Sequence, residues 1–258
     1  MEASILRISV WDEPQLRAFG KALQGPETDV AFVERDMAEQ RLQAGLTDLA
    51  LVPTHRALAA DRDDFELIPA VAYGSWSTPH LAILLPEGFE GQPEHLVTWN
   101  PDGLESLVAR IVLHEHYGMS VQPVLDAHPD QARLQRGGGG SGDALRLDLG
   151  EEWYELTNYP MVWGLFMMRA GELDAGTIRV LRAAAASVES SDDLDGTNPG
   201  SDGMGLPRFR FDDIATASLT ELSTHLYYYG LTSDIEEVRT ARIPEGADIG
   251  SDQRDPQL

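Results

Sequence analysis

The chain has 258 residues, 42% of them hydrophobic and 24% charged, enough for one large or two modest domains. Its 43 acidic and 19 basic residues give a formal charge of -24, a surface that repels nucleic acid phosphates and anionic membranes. No cysteine is present, which excludes disulfides, cysteine-zinc sites and thiol nucleophiles.

The same charge repels an anionic metabolite unless the pocket is locally positive. Lys21 is the only lysine, and the other basic residues are arginines. Abundant carboxylates with scarce lysine suit a high-salt cytoplasm that screens self-repulsion, but also an acidic protein of a GC-rich genome, and both readings stay open. The start, "MEASILRISVWDEP", lacks the basic flank, long apolar core and cleavage site of a secretory signal. The longest apolar run, Met161 to Met168, is too short to cross a bilayer. A soluble, cytoplasmic protein is expected.

In chain order, "ILRISVW" (5–11) alternates as a strand, and Pro14 opens a helix through about Leu23. "VAFVE" (30–34) is a second strand, followed by the short helix "MAEQRLQAG" ended by Gly45. "DLALVP" (48–53) is a continuous apolar run of the buried kind, and "FELIPAVAYGS" (65–75) a further strand. Strands follow at "HLAILL" (80–85) and "HLVTW" (95–99), then a helix over 102–117 with Leu104, Leu107, Val108, Ile111 and Val112 on one face. "VQPVL" (121–125) predicts a strand, residues 129–136 a helix, and "GGGGSG" (137–142) a flexible connection. The stretch "LDLGEEWYELTNYPMVWGLFMM" (147–168) reads as an amphipathic helix, a polar Pro-closed corner and a buried strand. Helices are predicted over 174–190, 212–229 and 233–242, with a disordered insertion at 191–207 and a polar tail from Pro244.

Strands alternating with helices indicate an α/β protein with mostly parallel sheets. The pattern restarts after Ser75, and the last helices have no sheet of their own. Two lobes are expected, with crossings near 75–80 and 169–173: lobe 1 from 1–78 plus 170–258, lobe 2 from 79–169. A ligand belongs between them, where strand ends and helix N-termini converge.

"DLGEEWYELT" followed by x-x-Pro and an apolar strand resembles the signature of futalosine-pathway menaquinone-biosynthesis proteins, specifically the chorismate dehydratase branch. "LRISV" at the start, "RLQAGLTDLALVP" (41–53) and "LTELSTHLYYYGL" (219–231) resemble further segments of that family. The resemblance implies a two-lobed, periplasmic-binding-protein-like (type II) fold. It implies a carbon-oxygen lyase that dehydrates chorismate to 3-[(1-carboxyvinyl)oxy]benzoate with neither metal nor organic cofactor. The implied partner is a small anionic or aromatic metabolite.

The ligand loops depart from the family pattern. The first loop is the short "WDEP" (11–14): the family's asparagine is missing, and Asp12 and Glu13 put negative charge near where a dicarboxylate should bind. The hinge loop "YGSWSTPHLAILL" keeps hydroxyls at Ser75 and Ser77 beside a bulky Trp76. The third loop, "NPDGLESL", offers Asn100 and Gly103, with Asp102 placed to cap its own helix and compete with an anionic ligand. The apolar strand ending Gly-Asp-x-Ala-Leu is reduced to Gly-rich sequence and "GDAL" (142–145), so a core strand is expected to be shortened or lost. The candidate catalytic residues are Asp12, Ser75 and Ser77. The substrate-binding candidates are Trp11, Trp76, Asn100, Gly103, Thr157 and Asn158, the last two on the corner. Trp153 and Tyr154 read as packing residues.

Other constellations are weaker. His114 and His116 diverge on a helix and read as solvated. Asp61, Asp63 and Asp64 lack the glycine and closing glutamate of a calcium loop. His55, His80 and His128 cannot be placed beside a nucleophile from sequence. Arg7 and Arg169 are candidates for pairing a bound carboxylate. Two further readings stand beside the lyase: a non-catalytic small-molecule binding protein on the same scaffold, and an inactive relative kept for assembly.

Overall fold

A computed structural model describes residues 5–86, 93–126, 131–137, 144–190, 205–235 and 237–247. The chain runs β1 (Leu6–Trp11), α1 (Pro14–Leu23), β2 (Thr28–Val33), α2 (Arg35–Gln43), β3 (Leu49–Pro53), α3 (Thr54–Leu58) and β4 (Phe65–Ser75). It continues through β5 (Leu81–Leu85), β6 (His95–Val97), α4 (Leu104–Glu115), β7 (Gln122–Val124), β8 (Ala132–Arg136), β9 (Leu145–Asp148) and α5 (Leu149–Thr157). It closes with β10 (Met161–Arg169), α6 (Ala175–Ser190), β11 (Arg208–Phe209) and α7 (Asp213–Tyr228).

Two sheets result, ordered β11-β4-β10-β3-β1-β2 and β7-β6-β8-β5-β9. Both are mixed, where mostly parallel pairing was predicted: β1 runs parallel to β2 and β3, but β10 runs antiparallel to β3 and β4. The reason lies in the crossings. β3 and β4 end at the junction of the lobes, while β10 begins there, so Met161 pairs with Ser75 at the end of β4. β5 likewise starts at the junction and runs against β8 and β9. β10 thus belongs to the first sheet, which moves the return crossing from 169–173 to the corner at 158–160.

The helix predicted over 129–136 is instead strand β8 among the described residues of that span. Ala132 and Leu134 are buried while Arg133 is exposed, an alternation of period two, and β6 and β5 pair on either side. Two flanking strands supply backbone partners that override the helix propensity of Gln, Ala, Arg and Leu. The core strand expected to be shortened or lost is therefore present, as the five residues of β8. The segment predicted as a helix at 233–242 is irregular where described, and Ala241 N–H donates to Leu67 O at 2.8 Å. Most of the Gly-rich connection, the 191–207 insertion apart from 205–207, His128 and the tail beyond 247 lie outside the described residues.

The corner between α5 and β10 is occupied by its own backbone. Asn158 caps α5 in the left-handed region at φ 63°, its N–H donating to Tyr154 O. Thr157 Oγ1 donates to Trp153 O at 2.8 Å and accepts from Tyr159 N–H at 3.2 Å. Pro160 O accepts from Ser218 Oγ of α7 at 2.6 Å, tying the return crossing to lobe 1.

The outgoing crossing is held by one carboxylate. Asp148 is the N-cap of α5, accepting from Gly150 N–H at 2.9 Å and Glu151 N–H at 3.1 Å. It also accepts from Thr78 N–H at 2.7 Å and Ser77 Oγ–H at 2.9 Å, across the hinge. Gly150 permits this approach, because a Cβ there would sit 2.9 Å from the Ser77 backbone. Asp148→Ala is expected to lower unfolding stability by roughly 2–4 kcal/mol in urea titration, from the lost cap and the unsatisfied hinge donors.

Candidate functional site

The strand ends of both lobes face one another across a cleft of about 690 Å³. Lobe 1 contributes the ends of β1, β2 and β3 with the starts of α2 and α3. Lobe 2 contributes the turn after β6, the start of α4 and Arg136 at the end of β8. Three arginines (Arg35, Arg56, Arg136) and His55 line it, against the six carboxylates Asp12, Glu13, Glu34, Asp36, Asp102 and Glu105.

Its centre is a partly buried ion cluster joining the lobes, with Glu105 its most buried member. Arg35, at the first position of α2, lies 4.2 Å over the Trp11 ring and donates to Glu13 at 2.7 Å. Its other nitrogen reaches Glu105 of α4 at 2.5 Å, and Arg136 reaches the same oxygen at 3.0 Å while lying 4.4 Å over Trp99. Burial works against the Arg35 charge, but Glu105 and then Glu13 outweigh it and hold the guanidinium above its ordinary pKa. Burial likewise opposes the Glu105 charge, yet Arg35 and then Arg136 keep its carboxyl below the usual range. The two arginines differ in access: the Arg35 side chain is 16% exposed and that of Arg136 51%.

Three of the predicted site residues line this cleft: Asp12, Asn100 and Gly103. Asp12 is exposed and paired with Arg17 at 3.1 Å. Asn100 reaches across the lobes, its Nδ2 3.4 Å from Asp36. Gly103, not Asp102, is the N-cap of α4, and no side chain caps that helix. The acid that competes for an anion there is Glu105, in the first turn. A Cβ at Gly103 would press on the Asn100 side chain at 3.1 Å.

The other predicted site residues lie elsewhere. Trp11 is fully buried, its Nε1 donating to Leu51 O at 2.7 Å, and it supports Arg35 from below. Ser75 is buried and accepts from Trp163 Nε1 at 2.9 Å, while Ser77 is taken by Asp148. Trp76 packs edge-on against Tyr154. Thr157 and Asn158 build the corner rather than a cleft wall. Arg7 pairs with Asp48 and Arg169 donates to Gln43 O, so neither reaches the cleft. The arginines that do line it, Arg35, Arg56 and Arg136, were missed because nothing local distinguishes them from other arginines of an acidic surface.

Away from the cleft, His116 and His114 do separate, as predicted. His114 meets Ser120, while His116 Nδ1 lies 3.2 Å from Glu152. His116, Glu152 and Glu155 have ligand atoms within 4.8 Å of one another, but Glu152 already accepts from Tyr117 Oη–H at 2.8 Å. Among the described residues, no helix is long and apolar enough to cross a membrane.

Solved structures share this architecture at low identity. A protein (AF1704) from Archaeoglobus fulgidus superposes with a TM-score of 0.63 at 14% identity, covering 90% of this chain and 100% of that one. The ligand-binding component of an ABC-type import system from Staphylococcus aureus gives 0.61 at 12% identity, covering 92% and 97%. The periplasmic aliphatic sulphonate binding protein SsuA from Escherichia coli gives 0.56 at 14% identity, covering 94% of each chain. The fold is that of the periplasmic binding proteins. No curated protein matches the chain in sequence. The sequence profile of a family described as menaquinone biosynthesis matches residues 12–194, most of both lobes and both crossings, and the chain belongs to that menaquinone-biosynthesis family.

Proposed function

We propose that the protein is a chorismate dehydratase-like lyase, forming 3-[(1-carboxyvinyl)oxy]benzoate and water from chorismate. The observation that carries this reading is the convergence of Arg35 and Arg136, from opposite lobes, inside the cleft of a menaquinone-biosynthesis chain. Chorismate carries two carboxylates, and guanidinium is the side chain suited to pairing each of them in two-point contact. Arg136 has the access to take one carboxylate from solvent. Arg35, clasped by Glu13 and Glu105, supplies fixed positive charge deeper in. Asn100 adds an amide for the ring hydroxyl or ether oxygen. Closure of the two lobes strips water from the bound ligand and strengthens these contacts.

The chemistry asked of the site is loss of a ring proton and a neighbouring hydroxyl, driven by aromatisation. The expected result is that purified protein incubated with chorismate develops the aromatic product, followed by absorbance and mass spectrometry. No product at high enzyme concentration, in both dilute and concentrated salt, overturns this reading.

One observation favours a second reading, a non-catalytic binding protein for a different small anion. Glu13 and Glu105 already neutralise the arginines, and the ligand loops depart from the family pattern. Thermal shifts across carboxylate and sulfonate metabolites, with no chorismate turnover, would favour it instead.

A further inference from the structure

Among the described residues, His55 is the histidine on the cleft wall, and the carboxylate contacts above leave it without a task. It occupies the second position of α3, directly after β3 ends at Pro53. Thr54 Oγ1 donates to Val162 O at 2.7 Å, which pins the start of α3 to β10 and fixes the His55 backbone. Both ring nitrogens are buried and neither makes a hydrogen bond of good geometry, a weak approach to the Asp102 backbone being the smallest influence on the ring.

That is unusual for an imidazole kept for structure. Roughly 90% or more of buried polar groups are paired, and an unpaired one costs about 1–3 kcal/mol. The charged groups facing His55 come from three elements: Arg56 on its own helix, Arg35 on α2, and Glu105 on α4, with the Asp102 backbone beside them. Burial first, then Arg56, depress its pKa to about 4, so the ring is neutral at pH 7 with an unused lone pair. The charged groups facing it belong to both lobes, so an opening that admits a ligand between the lobes also loosens the surroundings of the ring.

We propose that His55 is the general base of the dehydration, taking the ring proton and returning it to the departing hydroxyl. This rests on the dehydratase reading. The C–H bond at the ether-bearing ring carbon breaks, and its electron pair becomes the new ring double bond. The C–O bond to the neighbouring hydroxyl breaks, and the imidazolium proton passes to that oxygen. One water leaves, the ring is aromatic, and the imidazole is regenerated without any redox partner.

The location also explains how so weak a base gains strength. An anion within about 4–6 Å raises a histidine pKa by roughly 1–3 units. The dicarboxylate substrate brings two such charges into the cleft, so substrate itself raises the basicity of His55 when needed.

The test uses the full chain with chorismate and the variants His55→Gln and His55→Asn. The expected kcat falls roughly 10²–10⁴-fold, while KM stays within about threefold. In the wild type, kcat/KM declines as pH drops toward about 4, because protonation removes the base. The kcat profile declines at a higher pH, since it reports the substrate complex. The variants lose both limbs. A variant kcat within tenfold of wild type overturns the proposal while leaving the dehydratase reading intact. A wild type that forms no product overturns both. Should the variants misfold, nitrogen NMR of the wild-type imidazole decides: its titration moves to higher pH with chorismate, and an unmoved titration overturns the proposal.

Discussion

Arg35→Ala is expected to destabilise the protein by about 3–5 kcal/mol, the cost of leaving one partner of a buried ion pair uncompensated. Glu105 is 3% exposed, and its remaining partner, Arg136, approaches from a half-exposed position. Glu13 would lose its contact as well, and the Trp11 ring would lose the cation above it. The cluster need not be stabilising as a whole, since desolvating several charges is itself unfavourable. Hence Arg35→Met combined with Glu105→Leu should recover much of the loss. Urea unfolding of the single and double variants measures both. A loss below about 1 kcal/mol for Arg35→Ala would mean that water reaches the cluster and screens it.

Arg136→Gln is expected to do the opposite, sparing stability and removing ligand affinity. Its side chain is half exposed, so Glu105 keeps the better-buried Arg35 when Arg136 is replaced. Removing a guanidinium that pairs a bound carboxylate costs on the order of 2–5 kcal/mol, or roughly 30-fold to several thousandfold in affinity. Arg136→Lys should recover little of it, because an ammonium lacks the planar fork and stacks less well on Trp99. Calorimetric titration with chorismate gives the affinity, and a thermal melt verifies the fold. Unchanged binding would move the carboxylate site away from the Arg136 wall.

The fold was largely legible because its signals are local. The β4 run predicted at 65–75 is observed with those bounds, since a long apolar run is written into consecutive residues. The stretch from 147 to 168 also divided as read, into helix, corner and strand, except that Leu147 and Asp148 end β9. Its meaning did not. The polar groups of Thr157 and Asn158 looked available for a ligand, but a tight reversal needs hydrogen bonds of its own and used them. β8 failed for the complementary reason: two partner strands, not its own residues, made it a strand.

From the sequence alone came the α/β class, the restart after Ser75, the family resemblance and the expectation of a ligand between the lobes. Each depends on periodicity or motif within a short window. Only the tertiary structure selected Arg35, Arg136, Glu105 and His55 from many similar residues. Arg35 and Glu105 are 70 positions apart, and Arg136 lies 31 beyond Glu105. A charge pair formed by closing such long loops leaves no trace in neighbouring residues, because its energy depends on burial and distance that only the packed lobes supply.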